Sequence, residues 1–172
     1  YYMFTDYNYL NTPSFVGMTN IIKFFSDTKA HRALLNTFLI TIGSVPFMVG
    51  IALVLAVLVN KLMIGKPFIR SAIFATHLTP VIVGAVIFKT WFSDQNGFIN
   101  NVLEMMGLQR VPWLTETNFA LIAIIILAIW LKMGYYFVIY LAGLSNIDMQ
   151  LYEAAQIDGA NGRQLFFKIT LP

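Results

Sequence analysis

The stretch ALLNTFLITIGSVPFMVGIALVLAVLVN, residues 33–60, contains 28 consecutive residues without a formal charge. An α-helix rises about 1.5 Å per residue, so about 20 residues cross the hydrocarbon core of a bilayer. The run is therefore long enough to span a membrane, and it is too long for an ordinary strand. A membrane helix can hold Pro46 where neighbouring helices satisfy the carbonyl that proline leaves free. We predict a first spanning helix over residues 36–60.

The composition of the whole chain indicates the same class. The apolar set makes up 58% of the 172 residues and charged residues only 11%, whereas about 25% of a soluble domain is charged. So few charges would not cover a water-facing surface. The net charge of +3 includes no basic run that would favour nucleic-acid binding. The absence of cysteine excludes disulfides and thiolate metal sites.

Two further segments have the length and apolar character of spanning helices. SAIFATHLTPVIVGAVIFKTWF, residues 71–92, is predicted to be one helix with a kink at Pro80. FALIAIIILAIWLKMGYYFVIYLAG, residues 119–143, is predicted to be another, with Lys132 near its middle. The predicted fold class is an all-α membrane protein built as a polytopic helical bundle.

The charges of the connecting loops predict an orientation. Lys61, Lys66 and Arg70 lie in the first connection with no acidic residue, so the positive-inside rule places that loop in the cytoplasm. The connection at 93–118 holds three acidic residues and one basic residue, and we place it outside with the entry segment 1–35. It should contain a short helix over Ile99–Met106 along the membrane surface. Residues 145–172 then return to the cytoplasm.

The closing segment reads as helix, glycine turn, helix. Ser145 and Asp148 match the three-apart capping pattern of a helix start. Gly159 would end this helix, because glycine tolerates positive φ. Asn161 and Gln164 then match a second cap before an apolar run. The segment is either a docking element that enters a partner's groove or an amphipathic turn that packs on its own bundle.

The segment EAAQIDGANGRQLFFKITLP, residues 153–172, resembles the EAA loop of permease subunits from binding-protein-dependent ATP-binding cassette importers. That pattern is E-A-A, three residues, G, nine residues, I, one residue, L-P. The likeness extends along nearly the whole chain through FVGMTN, LLNTFLIT, FIRSAIFATHLTP and YLAGLSNIDMQLYEAA, and it favours the carbohydrate-type branch. The residues that match the EAA pattern are Glu153, Ala154, Ala155, Gly159, Ile169, Leu171 and Pro172.

The resemblance implies a helical bundle of the importer-permease core type, with residues 145–172 as a cytoplasmic coupling loop. It implies that residues 1–172 are part of one transmembrane domain, with further spanning helices outside this sequence. The implied partners are cytoplasmic ATP-binding subunits, a second permease (homologous or identical), an external solute-binding protein and the lipid bilayer. The implied setting is a prokaryotic cell membrane, and the implied solutes are sugars or related polyols.

A phosphate-binding G-x-x-x-x-G-K-[ST] motif is absent from the sequence. ATP hydrolysis is therefore expected on a separate chain, and we expect neither enzymatic activity nor a cofactor. The sequence contains no combination of nucleophile, base and orienting group, and its two histidines are isolated, so we predict no catalytic or metal-binding residue. The alternatives are an importer for amino acids, peptides or ions, a stand-alone channel, and an intramembrane enzyme.

Three residues are candidates for a translocation pathway. Lys132 lies mid-span, where charge is costly and often marks a pathway, although a structural ion pair would also explain it. Trp91 and Trp130 are candidates for stacking on a sugar ring. Interfacial anchoring explains Trp91 equally well, and core packing explains Trp130.

Overall fold

The computed structural model describes residues 1–10 and 12–171. These residues form a short two-stranded sheet and eight α-helices, together with a 3-10 turn near the start and a π-helical turn near the end. In chain order the elements are a 3-10 turn (Tyr2–Phe4), β1 (Thr5–Asp6), β2 (Ser14–Phe15), α1 (Thr19–Ser26), α2 (Thr28–Asn60), α3 (Lys66–Leu78), α4 (Val81–Trp91), α5 (Phe98–Met105), α6 (Thr117–Ser145), α7 (Met149–Ile157), α8 (Gly162–Leu165) and the π-helical turn (Phe166–Thr170).

Helices α2 and α6 are long and apolar enough to cross a membrane. They contain the predicted spans 36–60 and 119–143, and the all-α membrane fold is confirmed. The second predicted span differs, because it forms two helices, α3 and α4, whose axes are bent by 96°. Thr79 is extended at the break, with φ −69° and ψ 122°. A residue before proline is disfavoured in the α conformation, so Pro80 interrupts the helix rather than kinking it.

The chain divides into two compact units, residues 1–42 and 43–172. In the first unit, β1 and β2 pair antiparallel with Thr5 opposite Phe15. The Asn20 side chain, at the start of α1, donates to the carbonyls of Met3 and Thr5 at 3.1 Å each. These bonds hold α1 against the two-stranded sheet.

One core cluster of the second unit lies between α2 and α6, and another lies between α4 and α6. Ala52 and Ala56, one turn apart on α2, are fully buried, and they share a cluster with Phe137 and Leu141 of α6. Small residues at this spacing let two helices approach closely.

Helix α6 packs closely against α3 at Gly134. A Cβ atom added there would lie 2.5 Å from the carbonyl oxygen of Ile73 and 2.6 Å from Oγ1 of Thr76. The first of these atoms belongs to the backbone of α3, which cannot swing aside. The α3–α6 contact therefore requires glycine at this position.

A buried asparagine organises the connection between α4 and α6. Asn100 on α5 is fully buried, and its Nδ2 donates to the carbonyls of Asp94 and Val111 at 3.0 and 2.9 Å. Its Oδ1 accepts from the Val111 backbone N–H and from Nε1 of Trp113 at 3.0 and 3.1 Å. This single side chain ties both ends of the connection together.

Asp94 adds a second tie in the same connection. Its carboxylate accepts from the Leu114 N–H at 3.0 Å and from the Thr115 hydroxyl at 2.7 Å. These hydrogen bonds, led by that from Leu114, lower the pKa of Asp94 below its ordinary value.

The short helix predicted over Ile99–Met106 is present as α5, Phe98–Met105, shifted by one residue.

Replacing Asn100 with alanine is expected to loosen this connection. The change would leave the Val111 N–H and the indole N–H of Trp113 without their partner, at a cost of about 2 kcal/mol or more. Limited proteolysis of the intact protein should then cut within residues 93–116 faster than in the parent. The matched control is Asn101→Ala, because Asn101 is exposed and, among the described residues, its side chain has a single contact, at 3.4 Å to Arg110. Equal cleavage of the two variants would contradict the role given to Asn100.

Candidate functional site

The candidate site is the cytoplasmic loop predicted at residues 145–172, and its first helix is capped by Asp148. The Asp148 side chain accepts from the Gln150 N–H at 2.9 Å. The predicted capping role of Ser145 is wrong, because Ser145 is the last residue of α6. Its hydroxyl donates back to the Leu141 carbonyl at 2.8 Å, which places it inside a helix rather than before one.

The turn between α7 and α8 is a Schellman motif centred on Gly159. The Ala160 N–H donates to the Ala155 carbonyl at 2.9 Å, and the Gly159 N–H donates to the Gln156 carbonyl at 3.0 Å. This pattern requires a left-handed residue after the helix, and Gly159 has φ +80°. The predicted glycine stop is confirmed, and the turn satisfies the carbonyls of Ala155 and Gln156 in the last turn of α7.

The start of α8 is a complete capping box. Oδ1 of Asn161 accepts from the Gln164 N–H at 2.9 Å, and Oε1 of Gln164 accepts from the Asn161 N–H at 2.8 Å. This reciprocal pair fixes the direction in which the chain leaves the Gly159 turn. The cap predicted from the three-residue spacing is confirmed.

The loop has two arms: the first is α7, and the second is α8 with the π-helical turn that follows it. The second arm differs from the continuous short helix expected from the sequence. Helix α8 covers only four residues and passes directly into the π-helical turn Phe166–Thr170. The Leu171 N–H accordingly donates five residues back, to the Phe166 carbonyl at 2.9 Å. Such π-helical turns are rare in proteins overall, but those that occur often lie at functional sites.

A hydroxyl pair joins the two arms of the loop. Tyr152 on α7 and Thr170 in the π-helical turn place their side-chain oxygens 2.9 Å apart. The Thr170 hydroxyl also donates to the Leu165 carbonyl at 3.3 Å. Sequence reasoning missed this pair because the two residues are 18 positions apart and neither belongs to the EAA pattern.

The structure brings most of the predicted coupling residues to one exposed loop. Glu153, Ala154 and Gly159 are exposed, and Ala155 and Ile169 are half-buried. Leu171 is 48% exposed, and Pro172 lies outside the described residues. Ile169 and Leu171 line a cleft of about 350 Å³ beside Leu53 of α2 and Tyr140 of α6, so one side of the loop adjoins the bundle.

The predicted pathway residues fall into two separate places. Trp91 is 45% exposed, and its ring stacks on Phe88 with centroids 5.8 Å apart. Trp130 is half-buried and contacts the same Phe88 ring at 5.5 Å. Lys132 is exposed and has no hydrogen-bond or ion-pair partner in the part of the chain that the structure describes. The two tryptophans thus share an aromatic cluster that does not include Lys132.

A family model described as "Binding-protein-dependent transport system inner membrane component" matches residues 26–172. The chain is 37% identical over 161 residues to the arabinooligosaccharides transport system permease protein AraP of Halalkalibacterium halodurans, covering 92% of this chain and 51% of that protein. It is 36% identical over 162 residues to the lactose transport system permease protein LacF of Rhizobium radiobacter, covering 92% and 54%. The chain therefore spans about half the length of these relatives.

A solved structure has the same fold. It is a bacterial ATP-binding cassette transporter involved in the import of the acidic polysaccharide alginate, with a TM-score of 0.83 and 29% identity, covering 92% of this chain and 56% of that one. The resemblance to permease subunits of binding-protein-dependent importers, which was drawn first from residues 153–172, is confirmed. With a family match over residues 26–172, the chain belongs to the family of inner membrane components of binding-protein-dependent transport systems.

Proposed function

We propose that this chain is a membrane-spanning subunit of an ATP-driven importer for sugars or related polyols. It would form half of the translocation pathway in the cell membrane of a prokaryote. The family match supports this proposal, as do relatives whose names refer to arabinooligosaccharide and lactose transport. Amino acids, peptides and ions remain the alternative solute classes.

The structure of the coupling loop, residues 145–172, is the observation that supports this proposal most directly. Residues at the EAA positions lie on a short, firmly capped unit of two arms, with Glu153 and Ala154 exposed on the first arm and Gly159 at the turn between the arms. An exposed helix with small side chains fits a groove on a partner protein. We propose that a cytoplasmic ATP-binding subunit supplies that groove. The coupling residues are Glu153, Ala154, Ala155, Gly159, Ile169, Leu171 and Pro172.

The basic residues at the connection between α2 and α3 support the proposed orientation. Lys61 lies in this connection and Arg70 in the first part of α3, and both are exposed. Nζ of Lys66, at the start of α3, donates to Oδ1 of Asn60 at 2.8 Å. A basic loop without acidic residues favours the cytoplasmic side. We take α3 and α4 together as one broken span. The coupling loop, which follows α6 from the outer side, would then share the cytoplasmic side with this basic loop.

The geometry supports a short mechanical path from the loop to the membrane. Helix α6 ends at Ser145 and α7 begins at Met149, so only three residues separate the coupling helix from a spanning helix. A displacement of α7, when the ATP-binding subunits close on ATP, would therefore act directly on α6. A second permease and an external solute-binding protein would complete the importer.

Removing the Tyr152 hydroxyl is expected to weaken coupling between ATP hydrolysis and uptake. A hydrogen bond of this kind contributes about 1 kcal/mol, so Tyr152→Phe should lower the number of solutes imported per ATP about fivefold. Thr170→Val should have the same effect, whereas Thr170→Ser keeps the hydroxyl and should behave as the parent. Coupling unchanged in both Tyr152→Phe and Thr170→Val would show that the hydroxyl pair does not hold the arms.

The proposed function is tested by purifying the intact permease in detergent from its native membrane. A cytoplasmic ATP-binding subunit and a second permease should co-purify with it. Membrane vesicles that contain this complex, supplied with the external binding protein, should accumulate labelled sugar only when ATP is present. Accumulation without ATP, or purification of the permease without any ATP-binding subunit, would contradict the proposal.

A further inference from the structure

The charged residues of the spanning helices are all basic. Helices α2, α3, α4 and α6 contain no acidic residue. Lys132 lies 15 residues from the start of α6 and 13 from its end, so about 20 Å of helix separates it from either end. None of these helices can therefore supply Lys132 with a carboxylate partner.

Lys132 belongs to an exposed stripe of α6. Tyr135, Ile139 and Ala142 follow it at spacings of three and four residues, and all four are exposed, so they lie on one face of the helix. The residues that pack against the rest of the bundle lie on another face. Within a few turns of Lys132, these buried residues are Leu131, Gly134, Phe137 and Leu141.

Polar and aromatic groups border this stripe near mid-span. The Tyr135 ring lies 5.1 Å from the imidazole of His77, which is near the end of α3. The helix break at Thr79–Pro80 follows two residues later. Broken helices are tolerated at membrane depth where they are buried in protein or line a water-filled cavity.

An unpaired charge on this stripe would be costly in lipid. The distance from Lys132 to either end of α6 is too great for its side chain to reach the interface. The stripe must therefore face water or protein, whether that protein is a part of the permease outside this sequence or another subunit. On the basis of the proposed function, we propose that the face formed by Lys132, Tyr135 and Ile139, with His77 at its edge, lines the solute pathway. Lys132 attracts solutes that carry a carboxylate or sulfonate group, so the imported sugar is acidic.

Charged thiol reagents test this site directly, because residues 1–172 contain no cysteine and any cysteine elsewhere in the intact permease or its partners is first replaced with serine. Tyr135→Cys is introduced into the intact permease with its partners, in membrane vesicles. Its reaction rates are measured with anionic 2-sulfonatoethyl methanethiosulfonate and with cationic 2-trimethylammonioethyl methanethiosulfonate, each relative to a free thiol. One positive charge nearby should favour the anionic reagent about threefold. Adding Lys132→Gln should remove this preference, and adding Lys132→Arg should retain it.

Each other outcome overturns the inference. If neither reagent reacts in vesicles, while both react after the protein is denatured, the stripe faces lipid or protein. If both react without a preference that depends on Lys132, the site lines a pathway but does not attract anions. Co-purification of the ATP-binding subunit is scored on the same samples, so failure of the proposed function is recognised separately.

Discussion

Replacing Gly159 with proline is expected to abolish ATP-driven uptake while leaving the permease inserted in the membrane. Gly159 has φ +80°, and its N–H donates to the Gln156 carbonyl. Proline fixes φ near −65° and has no N–H, so the substitution removes both the turn and one of its hydrogen bonds. A cost on the order of 3 kcal/mol at this turn corresponds to a loss of uptake of about a hundredfold. Uptake and ATP hydrolysis are measured in the same vesicles.

The matched control for this change is Gly159→Asn. Asparagine adopts the left-handed conformation more readily than other residues with a side chain, and it keeps the N–H. Most of the uptake should therefore survive in this variant. Fully coupled transport by Gly159→Pro would show that the shape of the turn has no part in coupling.

Gly134→Leu is expected to have the largest effect on stability. A Cβ at this position already lies 2.5 Å from the Ile73 carbonyl oxygen, so a longer side chain must push α3 away from α6. Overpacking of this kind costs on the order of 3 kcal/mol. The variant should therefore show an apparent Tm about 5 °C or more below that of the parent when it is heated in detergent.

Gly143→Leu on the same helix provides the comparison. Nothing lies within 4 Å of a Cβ added at Gly143, and replacing a helical glycine with leucine favours the helix by somewhat less than 1 kcal/mol. This variant should keep or slightly raise the apparent Tm. Equal Tm losses for the two leucine variants would mean that the α3–α6 contact does not depend on Gly134.

Patterns that depend on neighbouring residues could be predicted from the sequence. The uncharged run at 33–60 predicted α2, and the glycine at 159 predicted the end of α7, because each signal lies in consecutive residues of the chain. The three-residue spacing of Asn161 and Gln164 predicted the capping box for the same reason. In contrast, the identical spacing of Ser145 and Asp148 was misleading, because α6 continues through Ser145.

Features that depend on distant partners could not be predicted in this way. The Tyr152–Thr170 pair forms only because the Gly159 turn brings the second arm back toward the first. Asn100 carries no local signal, since its partners at Val111 and Trp113 become neighbours only after the connection folds. Pro80 predicted a kink in the helix, but the size of the bend at the α3–α4 break depends on how both helices pack against α6.

The central claim is tested most directly by labelling and cross-linking a thiol placed at Ala154, on the exposed side of α7. In intact cells, a membrane-impermeant maleimide added from outside should not label Ala154→Cys. In inverted vesicles, a short bifunctional reagent should cross-link this residue to the ATP-binding subunit, with a yield that changes when ATP is added. Labelling from outside the cell, or cross-links confined to the permease's own helices, would contradict the claim that this loop couples the permease to a cytoplasmic ATPase.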